Sequence, residues 1–247
     1  MKGRKAIQLS PKLVERYAGV RRFRYGEMDE ENRVGVVTGL AYTESGGDIL
    51  SIESVKMPGK DGKVSMTGNL RDVMKESITV AEMLVKSRAA TLGIDYEKLK
   101  DQSIHVHVPA GATPKDGPSA GAAMVTSIVS ALTDIPIHRD IAMTGEVNLR
   151  GYVTAIGGLK EKLLAALRAG IKKVLIPEEN EKDLAEIPAN VKKGLEIIPV
   201  SRIEEVLTHA LTAIPQPITH DSEEKEEDFS EISSKTAENG EKNVIRH

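Results

Sequence analysis

A serine set at the mouth of a helix can act as a nucleophile, and residues 111–121, GATPKDGPSAG, have the composition for it. Pro118 suits a first helical position, where its missing N–H costs nothing. Ser119 then falls in the first turn, among free backbone N–H groups and the positive end of the helix dipole. An oxyanion formed beside it would meet donors already in place, the N–H of Ser119 among them. Gly117, Ala120 and Gly121 leave room for a substrate backbone. The same local shape also serves as an ordinary Pro-initiated helix start with a serine near its cap. A serine nucleophile needs a base. His105 and His107 alternate with Ile104, Val106 and Val108, so both face one side of a strand just upstream, where they could line the same cleft. As a metal pair they lack a third ligand marked by the pattern. A lysine serves only if it is neutral, which requires its ordinary pKa of about 10.4 to fall by roughly 3 units through burial. Lys160 and Lys162 lie among Leu159, Leu163, Leu164 and Leu167 and are the candidates. On a helical wheel Lys160 borders the leucine stripe, whereas Lys162 falls with Ala165, Ala166 and Ala169.

The elements that must position these residues follow from periodicity. Residues 11–18 read as a short helix closed by Gly19. Residues 33–43, 48–57 and 63–68 are β-rich runs separated by the turn clusters SGGD and PGKDGK. A helical period runs over 69–92, with Val73, Met74, Ala81, Leu84 and Val85 as its stripe. Strand 103–109 follows, then helix 118–132, a strand at 141–147 and helix 159–169 stopped by Gly170. Strand 172–177, helix 180–187, strand 195–200 and helix 201–211 complete the alternation, with Ser201 and Glu204 as a capping box. Strands come first and alternation later, which predicts an α+β domain over a doubly wound sheet.

Composition narrows the classes. The 247 residues are 40% hydrophobic and 29% charged with a formal net charge of −3, which is globular. Without cysteine there are no disulfides or thiolate sites, and the redox setting is reducing or indifferent. The most apolar stretch, residues 121–132, is interrupted by Thr126, Ser127 and Ser130, and nothing approaches the roughly 18 apolar residues of a membrane span. Aromatics at 3% argue against a base-stacking module. Residues 1–24 carry a local charge of +7 and residues 221–247 one of −5, the latter with too few apolar residues to bury and read as a disordered tail. No G-x-x-x-x-G-K-[ST] loop is present, so the chain is not expected to hydrolyse ATP by itself.

The stretches ENRVGVVTGLAYTESGGDILSIE, IHVHVPAGATPKDGPSAGAAM and AMTGEVNLRGYVTAIGGLKEKLLAALRAGIKKVLIPEEN, within residues 31–212, resemble the proteolytic domain of A-type Lon, an ATP-dependent serine protease family with a Ser–Lys dyad. PKDGPSAG paired with GGLKEK is the most specific part of the match. The resemblance implies the Lon proteolytic-domain fold, related to ribosomal protein S5 domain 2, with Ser119 as nucleophile and Lys162, the second lysine of GGLKEK, as base. It implies that Thr144 orients that lysine, and that Asp116, Glu53, His105 and His107 support the cleft. It further implies unfolded polypeptide substrates, a homohexamer, an AAA+ ATPase module upstream, and a cytoplasmic setting of the bacterial type, with the mitochondrial matrix as the alternative. No cofactor is expected in this chain, ATP and Mg acting only through that module, and no membrane partner. The domain division expected is a basic junction over 1–30, the proteolytic domain over 31–214 and an acidic tail over 215–247. LSPKLVERYAGVRRFRYG looks like the junction, and the chain is expected to be a piece of a longer protein. Tyr42 stands where related sequences can carry tryptophan, a departure expected to touch packing.

Two further readings stay open at this level. One is a binding module whose +7 N-terminus meets nucleic acid or a partner. The other is a serine hydrolase using His105 or His107 as base, with a pH–rate limb near 6.5.

Overall fold

The computed structural model describes residues 9–19, 30–43, 46–60, 62–109 and 114–218. The acidic run 221–247 and most of the basic segment 1–30 lie outside them.

Nine strands and seven α-helices are present among the described residues. The larger sheet has seven strands: β1 (Val36–Thr43), β2 (Gly46–Pro58), β3 (Val64–Thr67), β4 (Gln102–His107), β5 (Ile141–Met143), β8 (Lys173–Pro177) and β9 (Glu196–Val200). Their order is β3-β4-β2-β1-β5-β8-β9. β2 runs antiparallel to both neighbours, and every other pairing is parallel. Both antiparallel pairings lie in the hairpin-rich first half, where β3 and β4 also pair in parallel, and the alternating second half adds only parallel strands to this sheet, as expected for an α+β chain. β6 (Glu146–Val147) and β7 (Val153–Thr154) form a separate small hairpin.

Alternation along the strands divides the core between two sheet faces. Val37, Ile52, Ile104, Val106 and Met143 join α2 (Asp72–Ser87), α4 (Gly121–Thr133) and α7 (Ile203–Ala210) on one face. Leu40, Ala142, Val174 and Ile176 join α5 (Leu159–Arg168) and α6 (Ala189–Gly194) on the other. α4 is buried along nearly its whole length. The hydroxyls that break its apolar run are all bonded: Thr126 donates to Ala122 O at 2.8 Å, Ser127 Oγ lies 2.8 Å from Ser54 Oγ, and Ser130 accepts from Gly35 N at 2.8 Å. None is left as an unpaired polar group in the core.

Several boundaries differ from the sequence reading, each for a local reason. α2 begins at Asp72, because Asn69 is left-handed (φ 54°) and Leu70 is held in a β-bridge to Lys115. The 141–147 run is two strands broken at Thr144 and Gly145, the latter at φ 158°. Residues 118–120 are a 3-10 turn, and α4 proper starts at Gly121. The 180–187 helix is a 3-10 segment, Glu178–Glu186, with Asn180 its single buried residue, so it has no apolar stripe to hold an α-helix. The Ser201–Glu204 capping box is not formed. α7 starts at Ile203, and the Ser201 amide and hydroxyl both donate to Glu205 instead, at 3.1 and 3.0 Å, while Glu204 pairs with Arg88. Two short helices escaped periodicity, α6 and α3 (Tyr96–Lys100), the latter capped by Asp95. Near the N-terminus, α1 (Pro11–Ala18) forms where expected, with Ser10 accepting from Leu13 N and Gly19 N–H donating to Glu15 O. At the other end the chain stays packed beyond residue 214, with Ile218 N–H donating to Ala90 O at 2.9 Å.

Candidate active site

β1 and β5 run parallel with Gly39 opposite Met143, so Leu40 and Thr144 are the first residues past the carboxyl end of that pairing. Ligands of parallel sheets gather at such ends. A pocket of about 370 Å³ opens there, lined by Leu40, Tyr42, Leu50, Met74 and residues 155–158, with Asp116, Ser119 and Lys162 on its walls.

The serine reaches this pocket through a braced loop. Lys115 N–H donates to Asn69 O at 3.1 Å, Arg71 N–H donates to Lys115 O at 2.9 Å, and Lys115 Nζ donates to Gly68 O at 3.1 Å. Gly117, at φ 112°, turns the chain, and Pro118 opens the 3-10 turn that carries Ser119. Beyond it, Gly121 packs so closely on the small hairpin that a Cβ there would stand 2.8 Å from Val147 N. Ser119 is half-buried, and its carbonyl accepts from Gly145 N–H at 2.8 Å and Thr144 Oγ at 3.1 Å.

Thr144, 1% exposed, links the serine segment to α5. While its hydroxyl donates to Ser119 O, it accepts from Lys162 Nζ at 3.1 Å. Lys162 is 2% exposed and has no carboxylate within ion-pair distance among the described residues. Burial pushes its ammonium down from the ordinary 10.5 to about 8. Lys160, next to the leucine stripe, is exposed instead. The alanine sector of α5 faces inward because β2 lies against it, close enough that a Cβ on Gly47 would overlap Glu161 O. Ser119 Oγ and Lys162 Nζ make no direct hydrogen bond among the described residues, and Thr144 spans the interval.

The remaining sequence candidates divide. Asp116 is exposed at the pocket, its carboxylate accepting from Gly117 N–H at 3.0 Å. Glu53, His105 and His107 are not on the pocket wall. Glu53 pairs with His107 across β2 and β4, and β3 engages both histidines. Ser65 Oγ lies 2.8 Å from His105 Nδ1, and Thr67 Oγ lies 2.9 Å from His105 Nε2 and 2.7 Å from His107 Nδ1. The histidines therefore do not share the serine's cleft. Both ring nitrogens of His105 are already partnered, and no set of three metal-ligating side chains gathers there among the described residues. Tyr42, read from sequence as a packing position, is 58% exposed and forms part of the pocket rim against Gly158. Leu50 falls within a β-rich run and Met74 within a helical stripe, and nothing in their spacing marks the cleft.

A mixed sheet that ends at Thr144 on one cleft, with a half-buried serine hydroxyl and a desolvated lysine from α5 on its walls, has the groups that acyl transfer requires. The chain belongs to the family of the Lon protease (S16) C-terminal proteolytic domain, whose profile matches residues 8–213. It is 65% identical over 215 residues to the Lon protease of Brucella abortus biovar 1 (strain 9-941), covering 87% of this chain and 26% of that protein. To the Lon protease of Rhizobium meliloti (strain 1021) it is 62% identical over 90% of this chain and 27% of the relative. To that of Azospirillum brasilense it is 58% identical over 98% and 29%. The chain thus spans about a quarter of the length of these curated relatives. No helix among the described residues is long and apolar enough to cross a membrane.

Proposed function

We propose that this chain is a serine endopeptidase acting through a dyad of Ser119 and Lys162. The observation that carries the reading is Lys162: a fully buried lysine, bonded through Nζ to Thr144 and opening on the pocket that holds Ser119. With a pKa of about 8, about a tenth of it is neutral at pH 7, against well under a thousandth at 10.5. Neutral Lys162 takes the Ser119 proton as Oγ attacks the scissile carbonyl. The oxyanion sits at the start of the 3-10 turn, where the Ser119 N–H has no carbonyl within its own helix to bond. The resulting ammonium returns the proton to the leaving amine, and water then repeats the cycle on the acyl-enzyme. Thr144 holds Nζ in place throughout, and its second bond to Ser119 O keeps lysine and serine in register.

The family resemblance extends the reading to partners. The substrates are unfolded polypeptides, the assembly is a homohexamer, and an AAA+ ATPase module in the same protein, with its own ATP and Mg, feeds folded substrates. The setting is the bacterial cytoplasm.

Cleavage of a fluorogenic peptide without ATP tests the dyad. Wild type and Lys160→Ala should turn over, while Ser119→Ala, Lys162→Ala and Lys162→Arg should not, since a guanidinium does not deprotonate at working pH. An active Lys162→Arg or Ser119→Ala protein overturns the assignment.

A further inference from the structure

We infer that Asn180 is a positioning residue for substrate binding: its side-chain amide clamps the backbone of Ile156 and so decides which backbone groups of the pocket wall face the substrate. The inference rests on the endopeptidase reading of the pocket.

Asn180 lies in the 3-10 segment after β8 and is 3% exposed. Its Oδ1 accepts from Ile156 N–H at 2.9 Å, and its Nδ2 donates to Ile156 C=O at 2.9 Å. The second Nδ2 hydrogen goes to Asp183 Oδ2 at 2.7 Å. This pattern fixes the amide orientation, because the flipped amide would set its oxygen against a carbonyl and a carboxylate. The side chain thus pairs with Ile156 as a neighbouring strand would, although no strand lies there.

The consequence falls on the adjoining residues. With both backbone groups of Ile156 taken by Asn180, the backbone groups that remain on this wall of the pocket are those of its neighbours, Ala155 and Gly157, the latter at a bend. Both residues are exposed, line the pocket and have no backbone hydrogen bond among the described residues, and a Cβ on Gly157 would meet open space. Across the pocket, β5 pairs with β1 only at Thr38 and Gly39, so residues 40–43 have no strand on that side. An extended polypeptide bound between these two backbone strips would take its hydrogen bonds from them, as in strand addition. A single side chain thereby sets the register of one strip. The dyad is held separately, Ser119 by Thr144 and Gly145, and α5 by Leu159, Leu163 and Ala166 in the second core. Releasing Ile156 should therefore weaken binding more than chemistry.

The test joins amide exchange with steady-state kinetics on an extended fluorogenic peptide spanning the scissile bond, with Ser119→Ala in parallel. In the wild type the Ile156 amide should be protected. In Asn180→Ala its exchange should accelerate while the α5 amides keep their protection. KM should rise about tenfold, the scale of one or two lost hydrogen bonds, with kcat changed less than about threefold. The paired variant Asn180→Asp with Asp183→Asn keeps the acceptor for Ile156 N–H and restores the lateral bond, so it should fold readily and raise KM by an intermediate factor. Free exchange of Ile156 in the wild type overturns the clamp, whatever the variants do. A fall in kcat at unchanged KM, or unchanged kinetics in both variants, overturns the binding role. A wild type that cleaves no peptide, or an active Ser119→Ala, instead overturns the dyad, and exchange at Ile156 then decides the clamp alone.

Discussion

Replacing Lys162 by methionine should stabilise the protein at neutral pH while ending peptide cleavage, because the same burial produces both effects. The folded lysine ionises at about 8 and the unfolded one at its ordinary 10.5. Below pH 8 both states are protonated, and the folded state bears the full cost of a buried ammonium, about 3 kcal/mol from 1.36 kcal/mol per pKa unit. Between pH 8 and 10.5 the folded protein has released a proton that the unfolded chain keeps, so wild-type stability rises with pH through that window. Methionine matches the stem in length and has no charge to desolvate. It forfeits the bond to Thr144, about 1 kcal/mol. The net gain for Lys162→Met is then about 2 kcal/mol at pH 7 and about 1 kcal/mol at pH 9, and it vanishes near pH 10. Around neutrality that corresponds to a rise in Tm of about 4–8 °C for a domain of this size. Urea denaturation of both proteins at pH 7 and pH 9 reads the difference directly, and the peptidase assay confirms the loss of turnover. A variant less stable than wild type at pH 7, or a stability difference independent of pH, would refute the claim that Lys162 is held desolvated.

Three further outcomes are expected. The pH dependence of kcat/KM for peptide cleavage should rise about tenfold from pH 7 to 9 with a limb near 8, and a limb near 6.5 would instead point to a histidine base. Thr144→Val keeps the shape of the side chain but strips Lys162 Nζ of its acceptor, and should lower kcat/KM by about tenfold or more at a stability cost of only about 1 kcal/mol, since Ser119 O retains the Gly145 N–H. Wild-type kinetics in that variant would remove Thr144 from the site. Gly121→Ala should cost about 1–3 kcal/mol in denaturant unfolding, despite the better helix propensity of alanine, because the added carbon meets Val147 N and Gly145 O, both backbone atoms with no room to give.

Much of this protein is written locally and is read locally. Pro118 and the glycines around Ser119 predict a strand-to-helix turn that presents a hydroxyl, and the turn forms for the reasons that the residue types supply. Strand alternation at residues 104–108 and the long helical periods likewise survive folding, since burial of one face needs no particular partner. Which lysine of α5 is buried was beyond that kind of reading. The leucine stripe of α5 favours Lys160, yet the tertiary structure buries Lys162. What desolvates a lysine is whatever packs on its sector, and here that is β2, more than a hundred residues away in sequence. The resemblance to Lon pointed to Lys162, but no periodicity within the helix contains the reason. His105 and His107 show the converse: two residues of catalytic type, well spaced and close upstream, are engaged by β3 because β4 pairs with it there. Thr144, a threonine at a strand break, is marked only through the resemblance of its stretch to Lon, and Asn180, an asparagine in an acidic 3-10 segment, by nothing in its own neighbourhood. Only the fold brings Lys162 within a hydrogen bond of one and Ile156 of the other. Sequence determines which groups have the chemistry and which turns present them, while solvent exclusion and long-range pairing, which need the whole fold, decide which of those groups meet.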